Sequence, residues 1–225
     1  MIPLDKLLRP LPLLLWVAMC WTLWAAFFYA PRAKGFEGET GRILFFHVPL
    51  AWSSFLAFLV ASFASARYLQ LRRPAYDRLA AAAVELGLLT GVLATLTGAV
   101  WARVTWGAYW NWDPRQTSIL LALLFFGAYG ALRAAIEDGE SRRRLAAVYG
   151  SLGFVVAPFF FFILPRLGYS LHPEPIVNFA GKVEMDRRML TVLLVGSGLF
   201  TLLFAWILSL RCRVLKLTEE REEVS

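Results

Sequence analysis

Residues 189–210 read MLTVLLVGSGLFTLLFAWILSL, a run of 22 residues without a charged side chain. About 20 apolar residues are enough for a helix to cross the hydrocarbon core of a bilayer. Similar apolar stretches precede this one at about 11–30, 43–66, 79–101, 116–132 and 145–164. Within a bilayer, single segments can satisfy their backbone hydrogen bonds only as helices. The sequence therefore predicts an all-α integral membrane protein, built as a six-transmembrane-helix bundle.

The composition of the whole chain supports this fold class. Of the 225 residues, 59% are hydrophobic and only 17% are charged, which is unusual for a soluble domain. We interpret residues 1–225 as a single membrane domain. Lys6 and Arg9 before the first stretch would suit a secretory signal peptide. Because the apolar run is longer than in such peptides and no small-residue cleavage site follows, we expect a retained helix.

The distribution of Lys and Arg predicts the orientation in the membrane. The N-terminus, the loops 67–78 and 133–144 and the C-terminal tail hold 14 of the 23 Lys and Arg residues. The loops 31–42, 102–115 and 165–188 hold the other 9. Under the positive-inside rule both termini are cytoplasmic. Since these charges lie at helix ends rather than along one polar face, the net charge of +7 does not indicate a nucleic-acid partner.

Several function classes lack their sequence signatures. Cys20 lies in the first stretch and Cys212 after the sixth, so no disulfide is expected between them. The chain has no C-x-x-C pair and no C-x-x-C-H site for covalent haem attachment. It also has no G-x-x-x-x-G-K-[ST] loop, so nucleotide hydrolysis would need a partner. Asp113 is the one candidate for acid–base chemistry on the outer side, and we do not expect an enzyme.

The chain contains only two histidines, and the orientation places both toward the outer face. His47 lies about one turn into the second stretch, in ILFFHVPLAW, and His172 lies in the third outer loop, in YSLHPEP. Between them, Trp106, Trp110 and Trp112 crowd into the second outer loop, VTWGAYWNWDPRQTS. A single tryptophan there would usually be a membrane-boundary anchor, and a single histidine would often be structural. Their coincidence on one side indicates a ligand site.

The outer tryptophan-rich segment, 102–118, suggests what that ligand could be. If it is helical, residues at positions i, i+3, i+4 and i+7 share one face: Trp106, Tyr109, Trp110 and Asp113. A flat apolar ligand could lie on this aromatic face, and its metal could be bound from two sides by imidazoles. Haem with His47 and His172 as axial ligands meets this description. Arg42 and Arg115 are placed to bind its propionates.

The sequence WGAYWNWDPRQTS at 106–118 carries a family resemblance. Its pattern W-G-x-x-W-x-W-D-x-R-x-T-S resembles the tryptophan-rich WWD signature of the haem-handling proteins of cytochrome c biogenesis. Six helices, a short chain, H-V-P at His47 and S-L-H at His172 are most similar to the C component of the cytochrome c maturation system. The resemblance covers most of the chain, from the first helix to the sixth.

This resemblance implies a role in handling haem rather than in catalysis. It implies a protein of the bacterial inner membrane that holds haem b non-covalently at the periplasmic face. The haem would pass to a periplasmic haem chaperone, the E component. The implied complex also contains ABC-type ATPase and membrane subunits, the A and B components, and a small membrane subunit, the D component. With His47 and His172 as axial ligands, the predicted haem contacts are Arg42, Trp52, Trp106, Gly107, Tyr109, Trp110, Trp112, Asp113 and Arg115.

Three other functions are weighed against this one. A b-type cytochrome carrying electrons would normally bury its histidines within helices at two depths, whereas His172 lies on a loop. A lyase that bonds haem to protein would need a further pair of histidines. A transporter with a midplane pore would need broken helices and polar groups there, and only Glu85 comes close. We expect Glu85 to pair within the bundle or, second, with a partner subunit.

Overall fold

The computed structural model describes residues 10–33, 39–172 and 185–222, which form six long helices. They are α1 (Leu11–Tyr29), α2 (Thr40–Leu71), α3 (Pro74–Trp106), α4 (Pro114–Ala135), α5 (Gly139–Arg166) and α6 (Arg187–Glu222). Each is long and apolar enough to cross a membrane, and the described residues include no β-strand. The predicted all-α, six-helix membrane fold is confirmed.

The helices extend beyond the apolar stretches at most ends. The connection that holds the tryptophan-rich segment is therefore shorter than expected. α3 continues to Trp106 and α4 begins at Pro114, so only residues 107–113 of the expected 102–118 segment lie between helices. Gly107 ends α3 in the left-handed conformation, with φ of +81°. Asp113 caps α4, and Pro114 occupies its first turn, where no backbone N–H is needed.

Small residues let α2, α3 and α4 pack closely. A Cβ atom at Gly87 of α3 would lie 2.6 Å from the ring of Phe58 in α2. That ring stacks on Phe126 of α4, with 3.8 Å between centroids. Ser54 in α2 donates a 2.8 Å hydrogen bond to the Gly87 carbonyl and lies against Gly91. Gly87 and Gly91 therefore serve packing inside the bundle.

The Phe58 layer fixes the register of three helices. Phe58 packs between Gly87 and Phe126 at one level of the membrane. A second level lies eleven residues along each of these helices, toward the end of the bundle that holds residues 107–113. This is about 16 Å from the Phe58 level. The second level contains Gly98 in α3, His47 in α2 and Arg115 in α4. The bundle thus brings His47 and Arg115, 68 positions apart in sequence, to the same depth.

Ion pairs join the helices toward the opposite end of the bundle. Arg133 of α4 binds the buried carboxylate of Asp77 in α3, with nitrogen–oxygen distances of 2.5 and 3.0 Å. Arg211 of α6 binds Glu85 of α3 at 2.6 Å. Glu85 is therefore paired within the bundle, the first of the two alternatives expected from the sequence.

Candidate functional site

His47 points from α2 toward α3 with one ring nitrogen engaged. Its Nδ1 lies 2.9 Å from the backbone oxygen of Ala94 and 3.3 Å from Oγ1 of Thr97. Because a carbonyl oxygen can only accept, Nδ1 carries the proton and Nε2 keeps its lone pair. Gly98 makes room for the ring, since a Cβ atom there would lie 2.9 Å from Cε1 of His47. No hydrogen bond to Nε2 of His47 occurs among the described residues.

His172 is also hydrogen-bonded through Nδ1, but it lies outside the helices. It lies after α5, and its Nδ1 is 2.8 Å from Oδ1 of Asp113. An ionised carboxylate only accepts, so this imidazole also holds its proton on Nδ1. Within the described ranges Nε2 of His172 has no hydrogen-bond partner either. Both histidines of the chain therefore carry the tautomer in which Nε2 can bind a metal.

The electrostatic surroundings keep His172 neutral. Burial is the main effect that lowers the pKa of His172, to about 4. The Asp113 carboxylate opposes this shift, whereas the positive charges that Arg115 and His47 can carry add to it. At neutral pH the imidazole is uncharged, which is the form that binds metals.

Asp113 connects the start of α4 to the segment that carries His172. Its carboxylate accepts the N–H of Arg115 at 2.9 Å, which caps α4. It also accepts the Leu171 N–H at 2.7 Å, the Ser170 hydroxyl at 2.9 Å and Nδ1 of His172. Burial alone would raise the pKa of Asp113, but the N–H groups of Arg115 and Leu171 lower it below its usual value. The carboxylate is therefore ionised where it orients His172.

Two tryptophans of α3 lie against the His172 ring. Trp106 meets it edge to face, with 4.9 Å between centroids, and Trp101 lies 6.1 Å away. The two indoles also pack against each other at 4.9 Å. Trp101 is buried and was missed by the sequence reasoning, which treated α3 as ended there. The signal was present, because Trp101 is five residues before Trp106 in the same tryptophan-rich stretch.

The predicted single aromatic helix face is wrong. α3 ends at Trp106, and residues 109–113 are not helical, so the expected i, i+3, i+4, i+7 alignment does not form. Trp110 instead packs edge to face on Trp112, with 5.8 Å between centroids. Trp112 has a φ of +55°, uncommon for a bulky residue, and its exposed fraction is 71%. Tyr109 is also exposed, at 60%.

A buried glutamine holds this unusual connection in place. Gln116, in the first turn of α4, accepts the Asn111 N–H at 2.8 Å through Oε1. Its Nε2 donates to the Tyr109 carbonyl at 3.3 Å. The two bonds flank Trp110 and stabilise the backbone that leads into Trp112. Sequence reasoning missed Gln116, although a buried amide at the start of a membrane helix requires partners.

The remaining predicted site residues separate into two groups. Arg115 lies at the level of His47, in the first turn of α4. Arg42 is engaged by Glu39, by the Ala26 carbonyl of α1 and by the Ala30 carbonyl just after α1, so its propionate role stays a prediction. Trp52 donates to Thr201 of α6 at 3.2 Å, whereas His47 faces α3. The structure does not bring Trp52 together with His47.

These features define a polytopic membrane protein with two metal-competent imidazoles and a tryptophan cluster near one membrane boundary. The chain belongs to the Heme exporter protein C family, whose model matches residues 3–225. This membership confirms the resemblance found in the tryptophan-rich motif.

Individual relatives agree with the family match. A Heme exporter protein C from Bradyrhizobium diazoefficiens is 38% identical over 168 residues, which are 75% of this chain and 64% of that protein. The chain thus spans slightly less than two thirds of this relative's length. One from Rhodobacter capsulatus is 32% identical over 88% of this chain and 84% of its own length. A cytochrome c biogenesis protein CcsA from Carica papaya is 35% identical over 40% of this chain and 27% of that protein.

The contacts of Asp113 can be separated from its capping role. Asp113 and Asp138 both cap helices, accepting the N–H of Arg115 and of Ser141, but only Asp113 binds the His172 segment. We expect Asp138→Ala to lower the free energy of unfolding by about 1 kcal/mol, the value of a cap. Asp113→Ala should lower it by about 3 kcal/mol, because charge-assisted bonds are lost as well. Denaturation in mixed micelles measures both. Equal losses would show that the bonds to residues 170–172 add no stability.

Proposed function

We propose that this protein holds haem between His47 and His172 and releases it for the maturation of c-type cytochromes. One observation carries the proposal: both imidazoles give Nδ1–H to a protein oxygen and keep Nε2 for a metal, at the same end of the bundle. The name of the relatives from Bradyrhizobium and Rhodobacter, Heme exporter protein C, supports haem as the ligand.

The surroundings of the two imidazoles fit haem in chemistry. Histidines that bind metals usually donate their other N–H to a carbonyl or a carboxylate, which fixes the ring and raises the basicity of the ligand nitrogen. Ala94 and Asp113 supply these two acceptors. Trp101 and Trp106 offer apolar edges to a flat macrocycle beside His172. Arg115 can neutralise a propionate at the level of His47.

The two ligands differ in a way that suits delivery. His47 belongs to a membrane helix and is held between α2 and α3. His172 lies outside the helices and is positioned by polar bonds from Asp113 to its own segment. Such a segment can move away at a smaller cost than a packed helix. Its movement would remove one iron ligand while leaving the bundle intact, and the haem would then pass to an acceptor.

The proposal extends to sidedness and partners. The excess of Lys and Arg at the other end of the bundle supports cytoplasmic termini and a haem site on the periplasmic side. The recipient would be a periplasmic haem chaperone, the E component. ABC-type ATPase and membrane subunits, the A and B components, and the small D component would complete the complex. In this role the chain itself carries haem without catalysing a reaction.

Haem ligation is tested by absorption spectra of the purified protein from haem-replete cells. We expect a low-spin spectrum for the wild type. His47→Ala and His172→Ala should each give a high-spin spectrum and about tenfold less retained haem, because one of two ligands is lost. Trp206→Phe is the control, since Trp206 lies on α6 toward the end of the bundle opposite to the histidines.

Added imidazole separates loss of a ligand from misfolding. His172→Gly leaves space beside Asp113, and free imidazole should restore the low-spin spectrum in that variant. Low-spin spectra in both alanine variants without added imidazole would refute the ligand assignment.

Sidedness is tested with single cysteines in a Cys20→Ser, Cys212→Ser background. Tyr169 is 88% exposed near the proposed haem site, and Arg144 is exposed at the opposite end. A membrane-impermeant thiol reagent should label Tyr169→Cys in intact spheroplasts and Arg144→Cys only after permeabilisation. The reverse pattern would contradict the proposed orientation.

A further inference from the structure

A pocket of about 340 Å³ lies between α1, α2 and α3, at the end of the bundle that holds the histidines. Its lining includes Phe27, Glu39, Arg42, Phe46, Val100 and Trp101. Apart from Glu39, Thr40 and Arg42, the lining residues are aliphatic or aromatic. Trp101 also lies against the His172 ring, with 6.1 Å between centroids. One indole therefore borders both this pocket and the proposed haem site.

Arg42 lies at a depth that suits the polar edge of haem. It precedes His47 by five residues, or about 8 Å of helix. Since α2 begins at Thr40, Arg42 is closer to the membrane surface than His47. Haem is an apolar disc with two carboxylates on one edge, and burial of that edge without partners would be costly. An apolar pocket with an arginine near the surface matches such a ligand.

The Arg42 guanidinium is held at the pocket by contacts that do not involve Glu39. Its Nη1 donates to the Ala26 carbonyl and, at 3.1 Å, to the Ala30 carbonyl. Its Cζ lies over the Phe27 ring, 6.0 Å from the centroid. The Arg42 side chain is only 14% exposed. The cation would therefore stay in place if Glu39 moved away.

Glu39 is held less firmly than Arg42 and has a second partner. One of its carboxylate oxygens accepts Nε–H of Arg42, and the other accepts Nε–H of Arg32 at 2.6 Å. The Glu39 side chain is 49% exposed and that of Arg32 is 72% exposed. The hydrogen bonds from Arg42 and Arg32 lower the pKa of Glu39, so the carboxylate is ionised at neutral pH. It can leave Arg42 at small cost and remain paired with Arg32.

We infer that Glu39 occupies the place of a haem propionate on Arg42 and gives way to that propionate when haem binds. This inference rests on the proposed haem function. The exchange replaces one carboxylate by another, so Arg42 has an anionic partner in both states. Because the Glu39–Arg42 contact must break first, Glu39 lowers the affinity for haem and favours its release. A glutamate that served only to position Arg42 would have the opposite effect, since its loss would weaken haem binding.

Titration of haemin into the purified, haem-depleted full chain in detergent micelles tests the role of Glu39. We expect Glu39→Gln to raise the affinity for haem about threefold to fivefold, the range for a partly exposed ion pair. Transfer of haem from this variant to excess apomyoglobin should be slower than from the wild type. Unchanged or weaker haem binding in Glu39→Gln would overturn the inference.

A matched control separates this exchange from general attraction between haem and a more positive surface. Asp186 is an exposed carboxylate at the same end of the bundle, where it accepts the Arg188 N–H at 2.8 Å at the start of α6. Asparagine can keep this hydrogen bond. Asp186→Asn should change the affinity for haem less than twofold. Equal gains in Asp186→Asn and Glu39→Gln would refute a specific role for Glu39.

Two further measurements link the effect to Arg42 and to the propionates. In an Arg42→Gln background, Glu39→Gln should bring no gain in affinity, because the contact that it relieves is already absent. Iron protoporphyrin IX dimethyl ester carries no propionate charge and should bind equally to the wild type and to Glu39→Gln. A gain that persists in either measurement would contradict the inference. If Arg42→Gln folds poorly, the ester comparison decides alone.

The absorption spectrum separates this inference from the proposed function. Glu39→Gln leaves both imidazoles unchanged, so its haem complex should be low-spin like that of the wild type. Low-spin spectra without a gain in affinity would refute the role of Glu39 and leave ligation by two histidines intact. A high-spin spectrum of the wild type would instead refute that ligation.

Discussion

The Asp113 carboxylate joins three parts of the molecule: the first turn of α4, the connection 107–113 and the segment that carries His172. It can do so because Gly107 ends α3 abruptly and the chain returns to α4 within seven residues. Gln116 holds the intervening backbone, with Trp112 in a left-handed conformation. Without an acceptor at position 113, the described contacts of the His172 ring would be reduced to those with Trp101 and Trp106.

His47 reaches the same place by a different route. Its depth is set by the packing of α2 on α3, where Phe58 fits against Gly87 and the imidazole fits against Gly98. The Ala94 carbonyl then fixes the tautomer. One imidazole is thus positioned by helix packing and the other by polar bonds between loops. In the proposed function, this asymmetry would let the site release haem by moving only the half that is held by polar bonds.

The sequence was informative about periodic features and less so about local geometry. Six apolar stretches sufficed to predict the fold, because length and apolarity decide whether a segment spans a bilayer. The two histidines and the tryptophan motif lie at one end of the bundle, where the sequence predicted them together. The helix face proposed for Trp106, Tyr109, Trp110 and Asp113 was wrong, since a left-handed residue at Gly107 interrupts the helix. Gln116 and the separate contacts of Trp52 depend on tertiary neighbours that spacing alone does not reveal.

The central claim is that Nε2 of both histidines binds one iron. Because the chain contains only two histidines, labelling with histidine that carries ¹⁵N in the imidazole ring is unambiguous. Electron–nuclear double resonance on the ferric haem complex counts the ¹⁵N ligands of the iron directly. Two equivalent strongly coupled ¹⁵N nuclei, in addition to the four ¹⁴N nuclei of the porphyrin, are the predicted result. One coupled ¹⁵N nucleus, or none, would contradict it.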